Sequence, residues 1–594
     1  MKCEDEIHPL TTLVELLEWN EDTHVSSMCQ AILDDIPSLP PLSPSDQPKT
    51  LVCHDMKGGY NEDRLLSGCS DHTAYRFVHW SAIDSFVYFS HHFITIPPPG
   101  WTAAAHANGV DMLGTLITEN DEGVTLCSEI FSSLETVEKV VMQLTNITRI
   151  HKFQGWLINI ENKVAPVAIG LVIVFLQKLR KAMKGLDQRN LLIWYDSITH
   201  DGSLHWQDQL NGYNSCFYEV CDAIFLNYSW KVEYLKASKS YATLFPNLQH
   251  FGVAISREAQ GKNSTQANCS CDGGSTDHKT DASGGEEYMK ECIKCNALTK
   301  LSTENWHVKS YELSKFNKIF SGEEKKIYVG VDVFGRNFYG GGGFNTKEAM
   351  EVIREQGLSA AIFAPGWCYE TLGCEGFTEN NCTFWGLLDE FLYQHGPRTL
   401  PLYTTFSEGS GDVIYCDGVA MEKKNWFNLA RQSLLPNLTQ KCGGGGSITL
   451  CQSDAYIGGS CLLLTNPSLE PLTVWLWSSC HLHSNTPLKV VVAHKVTCAL
   501  DQKLDVPCQI SIESDSEADN SLLIKFRIWR KEEEENWTKE DDIKVRTSSN
   551  YWRLRTTNFI PNKESAITRI GVKIPAAVHV KIGLLCIDKE ETEH

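Results

Sequence analysis

Between residues 51 and 366 the chain alternates short, nearly unbroken apolar runs with amphipathic stretches. The runs fall at 51–56, 85–90, 112–118, 155–161, 191–197, 223–229, 327–334 and 360–366. A strand buried on both faces loses the every-other-residue polarity of a half-exposed one, so these eight runs predict a parallel sheet covered on both sides. The segments between them repeat at helical spacing. One carries Leu134, Val137, Val141 and Leu144 behind Ser132 and Glu135, a capping signal. A second, 169–183, runs into Lys178, Arg180, Lys181 and Lys184, charges that suit a helix carboxyl end. A third, 346–356, stops at Gly357. Eight strand–helix alternations predict an α/β fold, a (β/α)8 TIM barrel over 47–394, whose site lies at the carboxyl ends of its strands.

The flanks follow other rhythms. Residues 1–46 end in the Pro/Ser-rich run 36–44 and read as an N-terminal leader and linker. From 395 to 594, short β-rich runs at 460–466, 472–478, 488–497, 521–529 and 579–588 predict a C-terminal antiparallel β-sandwich region. The acidic run 532–535 reads as a solvated loop. Within the barrel, 235–322 is expected to be a flexible insertion, since 261–287 is rich in Ser, Gly, Asn, Thr and Asp. It holds Cys269, Cys271, Cys292 and Cys295. C-x-C with C-x-x-C is a weak zinc spacing, and incidental thiols are the preferred reading.

Charge and composition narrow the function classes. A net charge of −21 repels phosphate backbones and anionic membranes, so a neutral substrate is expected and nucleic acid is not. Most of the 16 Trp are core fillers on general grounds, although some could stack on sugars. The acidic start at 1–6 lacks a basic, apolar export signal, and the longest apolar stretch, 164–176, is too short to span a bilayer. The 22 Cys are therefore expected to be reduced thiols in the cytosol, and the sequons at Asn146, Asn227, Asn263, Asn437 and Asn536 to be chance matches. Gly340–Gly343 and 443–446 lack the lysine of a phosphate loop, and His91-His92, with no third ligand at metal spacing, reads as a hydrogen-bonding or substrate-lining pair. No metal or cofactor is expected. No sequence feature sets the oligomeric state.

The most informative segment is 154–162. In a strand, Asn159 and Glu161 project to one face and Trp156, Ile158 and Ile160 to the other. An amide and a carboxyl then stand together at the barrel mouth. Polar residues often end strands for no catalytic reason, so the placement alone leaves both readings open. The pair does match one chemistry. In substrate-assisted glycoside hydrolysis the sugar's own acetamide attacks the anomeric carbon, so the protein needs one acid/base carboxyl and one group to orient the acetamide.

The ordered segments 88–93, 96–101, 114–119, 155–162, 194–197, 227–230, 330–334 and 364–367 resemble the endo-β-N-acetylglucosaminidases of glycoside hydrolase family 85, its cytosolic animal members in particular. The resemblance covers about residues 50–375. It implies a retaining hydrolase that cuts between the two core N-acetylglucosamines of N-glycans or glycoproteins through an oxazoline intermediate. It assigns Glu161 as acid/base, Asn159 as the acetamide-orienting residue and Tyr195 as a contact to the intermediate. Trp367, Trp230, Asn227, Asp332, His92 and Glu119 are placed along the substrate. Gln154 and Asn120 depart from the family pattern, where Asp and Trp are common. Two other readings compete: a catalytically silent chitinase-like glycan binder, and a protein whose C-terminal region recruits partners.

Overall fold

A computed structural model describes residues 5–40, 46–243, 322–498, 508–514, 522–526, 542–543, 552–559 and 566–590. Cys269, Cys271, Cys292 and Cys295, the acidic run 532–535 and most of the expected insertion lie outside the described residues.

All eight expected strands form, as β1 (Thr50–Asp55), β2 (Ser85–Phe89), β3 (Asp111–Glu119), β4 (Gly155–Glu161), β5 (Leu191–Tyr195), β6 (Ala223–Leu226), β7 (Ile327–Asp332) and β8 (Ser359–Phe363). Each pairs in parallel with its neighbour, and β1 pairs with both β2 and β8, closing the barrel. Side-chain alternation divides the core accordingly. Leu51, Val87, Leu113, Leu157, Ile193, Phe225, Tyr328 and Ala361 meet inside the barrel. Val52, Phe86, Met112, Trp156, Ile158, Trp194, Val329 and Ile362 face outward into a second cluster beneath the helices. Arg354 closes the base of the seam, donating to Lys49 O (3.1 Å) and Thr50 Oγ1 (2.7 Å) beside β1.

The helices Leu134–His151, Ile169–Leu186 and Thr346–Glu355 match the periodic segments. The first begins one residue later than its sequence signal suggests. Ser133 is the cap, accepting from Thr136 N at 3.1 Å. Ser132 instead donates to Glu129 O (2.7 Å), ending the preceding helix.

Residues 5–40 differ from the expected leader. They carry the helices Leu13–Leu17, Glu21–His24 and Ser27–Asp35 packed on the barrel wall. Leu10 N and Ile94 N each donate to the other's carbonyl, and Gln143 Nε2 donates to Leu17 O and Trp19 O. Leu13, Leu16, Trp19 and Leu33 are buried in the outer core, each contributing about 1.5–3 kcal/mol.

Beyond the barrel the strands are antiparallel. One sheet is built around Val578–Lys589, which pairs with Cys461–Asn466, Leu488–Cys498 and Leu402–Thr404. A second is built around Ile567–Ile574, paired with Leu472–Trp477 and Cys508–Ser514. Glu408–Cys416 and Val419–Gln432 form a long hairpin turned by Asp417 (φ 50°) and Gly418 (φ 75°). Its base is fixed to the barrel by a buried ion pair, Arg76 Nε to Glu408 Oε2, with side-chain exposures of 8% and 6%. Trp80 Nε1 adds a bond to Gln432 Oε1 at 2.6 Å.

Candidate active site

Asn159 and Glu161 lie on the inner face of β4, continuing the line of Leu157, and open into a cavity of about 310 Å³ at the strands' carboxyl ends. Asn159 Nδ2 donates to Glu161 Oε1 at 2.8 Å. Asn159 is 3% exposed, and its Oδ1 has no hydrogen-bond partner. A buried amide oxygen left open is costly, so the position favours a ligand that brings a donor. Burial pushes the Glu161 carboxyl above its ordinary range, the Asn159 bond pulls it back, and nearby Glu119 raises it further.

Glu119 is register partner to Glu161 on the adjacent strand, which puts the two carboxyls side by side. Its Oε1 meets His91 Nδ1 at 3.2 Å, and His91 Nε2 lies 3.8 Å from Asp55 Oδ2. Asp55 and Glu119 hold the His91 imidazole up to about 9, so it is a cation at neutral pH. His91 lines the cavity.

On the adjacent strand β5, Tyr195 points inward beside Ile193. Its hydroxyl donates to Asn227 Oδ1 (2.8 Å), and Asn227 Nδ2 donates to Asp208 Oδ1 (2.7 Å). Asp208 sits on a loop held by buried Asp196, whose carboxylate accepts from Gln207 N (3.1 Å), Asp208 N (2.8 Å) and Asn214 Nδ2 (2.9 Å). That loop also brings Trp206 to the cavity wall. On β7, Asp332 accepts from Arg336 Nε (3.0 Å) and Nη2 (3.2 Å), and both side chains line the cavity. Gly330, two residues earlier, leaves room for Tyr228. A Cβ there would come within 2.7 Å of the tyrosine ring.

Of the residues expected from sequence, Asn159, Glu161, Tyr195, Asn227 and Asp332 line this cavity. Glu119 stands behind His91. Three others are placed elsewhere. Trp230 is buried, donating to Gly330 O (2.8 Å) and stacking on Tyr339. Trp367 packs edge-on against Phe344. His92 packs near Tyr60, with its ring centroid 6.2 Å away. His91, read with His92 as hydrogen-bonding or substrate-lining, does line the cavity, whereas Arg336 and Trp206 went unread. His91 continues the inward series of Val87 and Phe89, so strand alternation could have singled it out instead of His92. Arg336 stands four residues past inward-facing Asp332, a readable ion-pair spacing. Trp206 comes from an irregular loop and carries no such signal.

The two departures from the family pattern fall away from the cavity. Gln154 precedes β4 at the opposite end of the barrel, with Oε1 near His106 Nε2 (2.9 Å) and accepting from Met112 N (3.0 Å). Asn120 is exposed and takes a left-handed turn (φ 58°) as its helix begins.

Comparison with known proteins agrees with this geometry. The chain is 37% identical over 457 residues to the cytosolic endo-beta-N-acetylglucosaminidase of Gallus gallus, covering 76% of this chain and 51% of that one. It is 33% identical over 512 residues to the Homo sapiens protein of the same name, covering 85% and 57%. With cytosolic endo-beta-N-acetylglucosaminidase 1 of Arabidopsis thaliana the identity is 35% over 396 residues, covering 66% and 47%. The chain thus spans about half the length of the curated relatives it matches. The crystallised glycoside hydrolase domain of Endo-D from Streptococcus pneumoniae R6 shares the fold, with a TM-score of 0.67 at 16% identity over 99% of this chain and 84% of that one. The glycosyl hydrolase family 85 model matches residues 60–282 and 299–414, more than half the chain and the whole of β2–β8. By that match, and by the carboxyl–amide pair of β4 at the mouth of a closed barrel, the chain belongs to glycosyl hydrolase family 85.

Proposed function

We propose that this chain is an endo-β-N-acetylglucosaminidase that hydrolyses the β-1,4 bond between the two core N-acetylglucosamines of N-glycans, free or protein-linked. The observation that carries the reading is the Asn159–Glu161 pair: one amide gives its N–H to the carboxyl and keeps an unpartnered buried oxygen beside it. A 2-acetamido sugar supplies the N–H that this oxygen lacks.

In the first step Glu161 gives its proton to the glycosidic oxygen while the acetamide carbonyl oxygen attacks C1. The glycosidic C1–O bond breaks, the leaving sugar departs as an alcohol, and a protonated oxazoline forms that keeps the acetamide N–H. Asn159 Oδ1 accepts from the acetamide N–H and so aims the attacking oxygen. Burial keeps Glu161 protonated to a higher pH than an exposed glutamate, which suits the donor role. In the second step the Glu161 carboxylate takes a proton from water, whose oxygen attacks C1 from the face the leaving group vacated, breaking the C1–O bond to the acetamide oxygen and restoring the acetamide. The two inversions retain configuration. Tyr195, on the strand beside the pair and fixed by Asn227, holds the acetamide against C1. Arg336, Trp206 and Asp332 offer hydrogen bonds and an aromatic face to neighbouring sugars.

The compartment follows from the relatives, which are named cytosolic, and the described cysteines are free thiols. Among the described residues no helix is long and apolar enough to cross a membrane. The test is incubation with a labelled high-mannose glycopeptide. The peptide is expected to keep one N-acetylglucosamine in the wild type and to stay intact with Glu161→Gln. A wild type that binds the glycopeptide without changing its mass would make the barrel a glycan-binding module instead.

A further inference from the structure

A second cavity, of about 380 Å³, lies between the amino-terminal segment and the barrel wall, and it shares no lining residue with the first. Its walls include Glu6, His8, Trp19, Asp22, His24 and His151. They are fixed by the main-chain bonds that dock residues 5–40, Ile7 N to Arg64 O and Leu10 N to Ile94 O, both 3.0 Å.

Unsatisfied polar atoms mark this cavity out. His151, at the end of its helix, is 1% exposed, and neither ring nitrogen has a partner. His8 Nε2 is buried and unpartnered as well. Trp19 lies between two imidazoles, with ring centroids 5.8 Å from His24 and 6.1 Å from His151. A packed interior rarely leaves three such atoms open around one space, because each costs about 1–3 kcal/mol.

The lining also selects the ligand. Burial lowers His151 to about 4, so at neutral pH its ring offers one donor and one acceptor. A hydroxyl both gives and takes a hydrogen bond, and neighbouring hydroxyls on one ring answer both nitrogens at once. Among the described residues no lysine or arginine lines the space, and the carboxylates of Glu6 and Asp22 disfavour an anion. Glu6 is already paired with Arg64 at 3.1 Å, so its charge is not left open for a cation. The described side chains also contain no cluster of three or more groups fit to hold a metal ion. We propose that this cavity is a second binding site, for a neutral hydroxyl-rich ligand of mono- or disaccharide size, with Trp19, His8 and His151 as its main contacts.

The experiment is calorimetric titration of the full chain with mannose, N-acetylglucosamine and their β-linked disaccharides, with inorganic phosphate and putrescine as charged controls. His151→Phe keeps a ring and removes both nitrogens. Ser27→Trp adds bulk at the exposed rim and keeps the variant set informative if the histidine change does not fold. At least one sugar is expected to bind the wild type, to weaken tenfold or more in either variant, and to leave glycopeptide hydrolysis unchanged. Equal sugar affinity in the wild type and both variants would overturn the site. So would binding of phosphate or putrescine alone, or no binding of any probe.

Discussion

Asn159→Ala tests the mechanism at its narrowest point. The change deletes the N–H donated to Glu161 at 2.8 Å and the buried oxygen assigned to the acetamide. A donor or acceptor aimed at charge that develops in the transition state is worth about 2.7–4 kcal/mol, so kcat should fall about 10²–10³-fold. KM should move only a few-fold, because the lost interaction tightens mainly as the oxazoline forms. The pH profile adds a second readout. The Asn159 bond pulls the Glu161 carboxyl down, so removing it raises that carboxyl further. The protonated acid then survives to higher pH, and the basic limb of kcat/KM shifts upward. Rates on a glycopeptide should be measured from pH 5 to 9, alongside transfer from a preformed sugar oxazoline, which skips the acetamide attack. A tenfold or smaller loss of kcat would refute the assignment, as would equal loss with both donors.

Three further outcomes follow from the same geometry. Glu119→Gln removes the neighbouring charge that raises Glu161, so the basic limb should move to lower pH; an unmoved limb counts against the coupling. Asp196→Ala strips the acceptor from Gln207 N and Asp208 N, at about 1–3 kcal/mol each, and leaves Asn214 Nδ2 only its bond to Gln209 O (2.8 Å). KM should rise as the Trp206 loop loosens, and increased proteolysis within 205–214 would report it. Arg76→Met leaves Glu408 buried without its cation and should cost about 3–5 kcal/mol in denaturant titration, while adding Glu408→Gln should recover much of the loss.

The sequence was most legible where burial leaves no choice. All eight barrel strands could be read because a strand covered on both faces must be apolar throughout, and the inward pairing of Asn159 with Glu161 followed from alternation alone. Residues 5–40 were harder, since the Pro-rich run 36–44 drew attention from a readable signal. Thr12 and Glu15 form a full capping box, with Glu15 N donating to Thr12 Oγ1 at 3.1 Å and Glu15 Oε2 accepting from Thr12 N at 3.3 Å. The hairpin over 408–432 was missed for a different reason. Much of its second strand is exposed and shows no alternation, although Asp417-Gly418 is a strong turn dipeptide. Trp230 and Trp367 show the limit for aromatics near a site. Their identity does not say which face of the chain they occupy: Trp230 is buried on Gly330 O, and Trp367 packs, partly exposed, on Phe344.

Closure of the seam between β1 and β8 bears on how the chain is made. The Arg354 contact to Lys49 spans 305 positions, so the first strand waits for the last. During synthesis, both edges of a growing open sheet stay available to other chains until residues 359–363 leave the ribosome. Expression should therefore depend on chaperone supply, and fragments ending before β8 should aggregate even though they retain Asn159 and Glu161.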